Sequence, residues 1–326
     1  MSAPPRYAPP CRAPWFARGG HAQTLWGHLL PSRAPAVSTH PRARRVVVAL
    51  ADGERLVAHA LPGTSGVRAH LFHGLSGDAD ADYMRRTAAA LTARGHAVWC
   101  ANHRGCGAGR GLAGKPYHSG SAEDIAAVLA ASRAEAPDAR HVAIGFSLSG
   151  NALLLAAARG LAPWLAGLVA VNPPVDIARA SRDIQQGLAR LYELRFVHRL
   201  RSAIRLRRRD GLLAREYAIP RLATLMEFDD LYTAPEAGFA SGADYYARCS
   251  SLPHLHAIET PGAIVTAADD PFVDPRAYDG ARLGPNLTLH VEASGGHVAY
   301  LERRGAGFGR WLEGALVHYV EALVAR

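Results

Sequence analysis

Gly145-Phe146-Ser147-Leu148-Ser149-Gly150 is the stretch whose reading decides the fold. It follows the apolar run His141–Ile144, and it opens an Ala- and Leu-rich segment that reads as a helix from Leu148 to about Arg159. A serine on a sharp strand-to-helix turn has its hydroxyl pushed out above the sheet. The turn is sterically tight, so small residues flank the serine. The helix starting just behind it leaves free N–H groups that favour negative charge. The strict pattern is Gly-x-Ser-x-Gly, and Ser149 stands where its last glycine belongs.

A serine hydroxyl is a weak nucleophile until a base is positioned beside it. Gly295-Gly296-His297 supplies an imidazole on a glycine turn after the last strand. An acid should precede the histidine. Asp269-Asp270-Pro271-Phe272-Val273 follows the run Ala263–Thr266, and of its two acids Asp270 fits the acid-loop pattern better. The order Ser147, Asp270, His297 resembles the nucleophile–acid–histidine order of α/β-hydrolases. His73-Gly74-Leu75 ends the run Ala69–Phe72. In that fold this turn gives one backbone N–H to an oxyanion hole, here that of Leu75, and the residue after the nucleophile, Leu148, gives the other.

Outward from these motifs the chain alternates strands and helices. Val46–Leu50 and Arg55–Ala60 read as a hairpin turning at Asp52-Gly53. Ala97–Ala101, Leu168–Val171 and Leu287–Val291 read as further strands. Helices are expected over Tyr83–Ala93, from a Ser121 N-cap through Ile125–Ala131, and from about Phe308 to Val324. Such alternation implies a mostly parallel sheet with helices on both faces. The rhythm breaks between about Ile177 and Ser251, where the sequence is helical and Arg-rich. The expected division is a Pro-rich N-terminal arm over 1–45, a first core part over 46–176, a helical cap insertion over 177–255 and a second core part over 256–326.

Several segments together resemble the YheT-like branch of α/β-hydrolases, the AB-hydrolase 4 family. They are His73-Gly74-Leu75-Ser76-Gly77, Asn102-His103-Arg104-Gly105-Cys106-Gly107, Tyr117-His118-Ser119-Gly120, the Ser147 motif, Glu227-Phe228-Asp229-Asp230, the Asp270 motif and Gly295-Gly296-His297-Val298. Gly20-His21-Ala22-Gln23-Thr24-Leu25 resembles that branch's N-terminal His-x-Gln-Thr signature. The likeness implies an α/β-hydrolase fold with a helical cap. It implies an esterase- or lipase-like serine hydrolase acting on small-molecule or lipid esters, with no cofactor. Ser147 would be the nucleophile, Asp270 the acid and His297 the base. His73, Tyr117 and His118 are candidates for lining the substrate site. The family usually has glycine at the position of Ser149.

Composition sets the outer bounds. The chain has 326 residues, of which 49% are apolar and 20% charged, enough for one large α/β domain. Four widely spaced cysteines without CxxC pairing and an N-terminal segment rich in proline fit a cytoplasmic protein without a signal peptide. The net charge is +9, and of 37 basic residues only Lys115 is a lysine. Between Arg195 and Arg215 eight arginines face one acid, Asp210. The plain reading is a solvated helix face with snorkelling arginines. A second reading makes the chain a catalytically weak or vestigial hydrolase fold that binds anionic surfaces through this cap, and peripheral contact with an anionic membrane belongs to it. Nucleic acid is not expected as a partner. Gly109–Lys115 mimics a phosphate loop, but Pro116 replaces the residue that would bind phosphate and metal. No histidine pair has a third ligand at metal-site spacing, so no metal is expected. The oligomeric state is not legible.

Overall fold

Strands that are apolar along their whole length need cover on both faces. The computed structural model describes residues 5–325 apart from 8 and 31. Eight strands form one sheet: β1 (Arg44–Ala49), β2 (Arg55–Leu61), β3 (Val67–Phe72), β4 (Ala97–Asn102), β5 (Arg140–Phe146), β6 (Gly167–Val171), β7 (Gly262–Ala267) and β8 (Leu287–Glu292). Their order is β1-β2-β4-β3-β5-β6-β7-β8. β2 pairs antiparallel with β1 and β4, and every pair from β4 across to β8 is parallel. The α/β-hydrolase sheet expected from the sequence is thus present.

The helices are α1 (Gly20–Leu29), α2 (Asp82–Ala93), α3 (Ala122–Glu135), α4 (Leu148–Ala158), α5 (Ile177–Asp183), α6 (Ala189–Arg209), α7 (Leu225–Phe228), α8 (Ala234–Ala237), α9 (Gly242–Cys249) and α10 (Trp311–Val324). α2 and α10 cover one face of the sheet through Met84, Leu91, Trp311 and Leu316. α3 and α4 cover the other through Ile125, Leu129, Leu153 and Leu155. Parallel pairing sends every strand from β3 to β8 in one direction, so their C-terminal ends share one edge, where an α/β sheet places its ligand site. After β6 the chain leaves the sheet, folds as α5 to α9, and returns at β7. This excursion has small apolar clusters of its own, one built on Val197, Ile204, Phe228 and Tyr232. A π-helical turn, Asp229–Thr233, joins α7 to α8.

Two local expectations differ from the structure. The last helix begins at Trp311, because Gly307–Arg310 (β10) pairs with Leu301–Arg304 (β9) in a short hairpin. This polar, glycine-rich stretch carries no period-two apolar pattern to announce strands. Ser121 holds the N-cap position of α3, but its hydroxyl caps nothing there and accepts the His118 N–H instead. The arm before β1 contains α1, whose Gln23 is fully buried and bonds both the N–H and the carbonyl of Leu301. That glutamine clamps the arm onto β9.

Candidate active site

The turn after β5 places Ser147 at φ 52° and ψ −121°, a strained backbone region for a non-glycine residue. Gly145 makes the turn feasible, since a Cβ there would lie 2.5 Å from the Ser149 carbonyl oxygen. Position 149 does not have to be glycine. Its hydroxyl is fully buried, donates to the His73 carbonyl oxygen and lies 2.6 Å from His103 Nε2. The extra side chain therefore ties the turn to the neighbouring strand ends.

His297 reaches Ser147 from the loop after β8. Its Nε2 lies 2.9 Å from Ser147 Oγ, and its Nδ1 lies 2.8 Å from Asp270 Oδ2. The Asp270 side chain is fully buried. Its Oδ1 accepts the N–H groups of Phe272 and Val273 at 2.8 and 3.1 Å, and its Oδ2 accepts Asn172 Nδ2 at 2.6 Å. Asp269 faces elsewhere and accepts the N–H groups of Gly295 and Gly296 at 2.9 and 2.8 Å, which shapes the histidine loop.

The turn after β3 closes the other side. It approaches so near that a Cβ on Gly74 would lie 3.0 Å from the Ser147 Cβ. Its neighbours are pinned, Gly74 N–H to Tyr83 and Ser76 N–H to the Tyr117 hydroxyl. Among the described residues neither the Leu75 nor the Leu148 N–H donates to a protein acceptor.

Ser147 and His297 open into a cavity of about 200 Å³ lined by Leu75, Leu148, Tyr117 and His118, with Ile184, Phe196, Leu200 and Ile204 of the excursion opposite. Phe272 packs on the His297 ring at 4.6 Å between centroids. Arg207 alone of the Arg195–Arg215 group is buried, and it lines this cavity. His73 is not among the lining residues. It is fully buried beneath the turn, takes the His103 N–H on Nε2, and is held down at about 4 by burial. Burial likewise lowers His118 to about 4 and His103 well below its usual value, so these histidines are neutral near pH 7. Burial raises the Asp229 carboxyl, on the cavity wall, to about 6.

Two supporting residues escaped the sequence reading. Asn172, at the end of β6, has φ 45° and is fully buried. It donates to Asp270 and to the Gly296 carbonyl, and accepts from the Tyr300 hydroxyl at 3.0 Å. Thr24 of α1 accepts the His297 N–H at 2.9 Å while donating to the Gly20 carbonyl. The His-x-Gln-Thr signature marked Thr24 without a role. Asn172 had no signal beyond its place at a strand end.

Comparison with known proteins agrees with this architecture. The profile of the alpha/beta hydrolase fold matches residues 71–304. YheT of Escherichia coli, an esterase by name, is 31% identical over 261 residues, covering 77% of each chain. A monoacylglycerol lipase of Saccharomyces cerevisiae is 24% identical over 77% of this chain but only 58% of its own. The esterase Pf2001 of Pyrococcus furiosus superposes with a TM-score of 0.57 at 16% identity, over 89% of this chain and 98% of its own, a likeness of fold alone. Sheet order, the serine turn and these matches agree, and the chain belongs to the α/β-hydrolase fold family, on the branch that includes YheT.

Proposed function

We propose that the protein is a serine hydrolase that cleaves carboxylic esters of short- to medium-chain acyl groups through Ser147, His297 and Asp270. The observation that carries this reading is the unbroken relay of 2.9 and 2.8 Å from Ser147 through His297 to Asp270 at the mouth of an apolar cavity. The esterase and lipase names of its relatives support the ester class. In this reading residues 177–255 cap the cavity, residues 46–176 and 256–326 form the core, and the arm over 1–45 braces the histidine loop. The cavity, about 200 Å³, falls below the usual ligand-site range of roughly 300–1,000 Å³, which favours a modest acyl chain.

The chemistry follows from the hydrogen bonds. His297 Nε2 accepts the Ser147 proton as Oγ bonds to the ester carbonyl carbon. The negative charge on the carbonyl oxygen is met by the N–H groups of Leu75 and Leu148. Collapse breaks the bond to the alcohol oxygen, which leaves with the proton from His297. A water then gives its proton to His297 and attacks the acyl-serine, and the acid departs as Ser147 regains its proton. Asp270 keeps the Nδ1–H tautomer and stabilises the imidazolium. Asn172 and the two backbone N–H groups fix the carboxylate in turn.

The test is fluorophosphonate labelling of the wild-type protein and of Ser147→Ala, beside a p-nitrophenyl ester series from acetate to palmitate. Labelling that vanishes with Ser147, and turnover with a chain-length optimum, are expected. A wild-type protein that neither labels nor turns over any ester sinks the reading.

A further inference from the structure

We propose that the outer face formed by α1 and the first half of α6 is a docking surface for an anionic lipid bilayer, set beside the mouth of the cavity. α1 and α6 lie side by side. Arg195 donates to His28 at 2.6 Å, and the Tyr192 ring stacks on His21 with 5.7 Å between centroids and 2° between planes. Each helix leaves an apolar stripe uncovered on this face. From α1 come Leu25, Trp26 and Leu29, and just ahead of and within α6 come Leu188 and Leu191, which are 62% and 65% exposed. Trp15, 80% exposed, extends the patch, since Trp15, Trp26 and Phe308 each pack edge-on against Phe16 with centroids 5.3–5.9 Å apart. Large apolar side chains clustered in this way mark an interaction surface.

Charge selects the occupant. No acid occurs before Asp52, so α1 and its approach carry only arginine and histidine. α6 has one acid, Glu193, which is buried and paired with Arg190, while Arg195 and Arg199 stand exposed one and two turns beyond Leu191. The hairpin's one acid, Glu302, is paired with Arg304. Asp82, which faces His28 and Arg310 from α2, is paired with Arg85. Asp78 faces Arg199, so the arginines exceed the acids on this face without being wholly unpaired. Tryptophan and phenylalanine amid this excess of arginine match the interfacial zone of an anionic membrane, where aromatic rings sit at headgroup depth and guanidinium groups meet phosphate. A protein partner of that charge would have to be strongly acidic and apolar at once. The patch also adjoins the site, since Tyr192 packs on Phe272 and Phe272 on His297. Docking there would hold a lipophilic ester dissolved in the bilayer within two ring contacts of His297.

The test uses the intact chain and vesicles of phosphatidylcholine with an equal share of phosphatidylglycerol, against vesicles of phosphatidylcholine alone. Co-sedimentation and tryptophan emission report binding, and light scattering reports oligomeric state. The wild type is expected to bind the anionic vesicles with a blue shift in emission and to lose affinity with salt. Arg195→Gln with Arg199→Gln should weaken binding roughly fivefold per residue. Trp15→Ser with Leu191→Ser should weaken it on the order of tenfold or more at every salt concentration. Both pairs should retain turnover of a water-soluble ester. Absence of binding to anionic vesicles at low salt, binding indifferent to both pairs, or a dimer that dissolves with Trp15→Ser and Leu191→Ser would each overturn the proposal. Binding is read without turnover, so its failure and that of the hydrolase reading are separate results.

Discussion

From β3 to β7 the sheet is built of buried, mostly apolar side chains, while α6 carries eight arginines in twenty-one residues and buries only five of its side chains. The two regions meet at the cavity, and each supplies a different half of it. The sheet edge contributes the polar atoms: a strained serine turn, a buried carboxylate with its bonds filled, and a histidine held at both ring nitrogens and at its backbone N–H. The excursion contributes an apolar wall. Reacting groups must be held within a fraction of an ångström, which a close-packed sheet does well. A wall that, in the proposed reading, excludes water and measures chain length can be built from loosely shared clusters. The contrast suggests that chemistry and selectivity can be altered separately.

The sharpest way to break that contrast is Ser147→Ala. Turnover should fall on the order of 10⁴-fold or more while the melting temperature stays put, since the change removes only the Oγ that meets His297. A variant that loses turnover only because it unfolds would undo the separation. Next comes a matched pair of leucine truncations. Leu153→Ala, inside the layer under the sheet, should cost about 2–5 kcal/mol by denaturant unfolding. Leu200→Ala, half-buried on α6 and on the cavity wall, should cost about 1 kcal/mol and move the ester optimum to longer chains. Equal costs, or an unmoved optimum, would say that the excursion is as integral to the core as α4.

Protonation offers a third contrast. Fully buried His73 stays neutral down to about 4, whereas the unfolded chain takes up that proton near the ordinary histidine value of roughly 6.5. The unfolded state then binds more protons between these values, so the stability is whole above 6.5 and is lost as pH falls towards 4. The loss for this one group is on the order of 2–3 kcal/mol. His73→Gln should flatten the acid side of a melting-temperature profile relative to wild type, and an unchanged slope would count against the buried neutral histidine. The last contrast is at Thr24. Thr24→Val removes the acceptor for the His297 N–H and should lower kcat roughly tenfold with KM little changed, while Thr24→Ser restores it. A change confined to melting temperature would make α1 a mere brace.

The sequence by itself determined what is local. Gly145 through Gly150 announces the turn because the constraint lies within six residues, and the strands announce themselves because cover on both faces demands uninterrupted apolar runs. The order Ser147, Asp270, His297 could be read for the same reason, since each follows a strand end and the first and last lie on glycine turns. What the tertiary structure decided are contacts with no sequence period. Thr24 meets His297 across 273 residues, Asn172 meets Asp270 across 98, and Ser149 meets His103 across 46. Which candidates face the cavity was decided there too. Tyr117 and His118 line it, whereas His73, on the same turn as Leu75, lies buried beneath. The side a residue presents near a strand end depends on the turn that follows, and that turn is held by Tyr83 and Tyr117, which arrive from elsewhere in the chain. The uncovered face of α1 and α6 is of the same kind, since only the packing of the two helices side by side joins their exposed apolar residues into one surface.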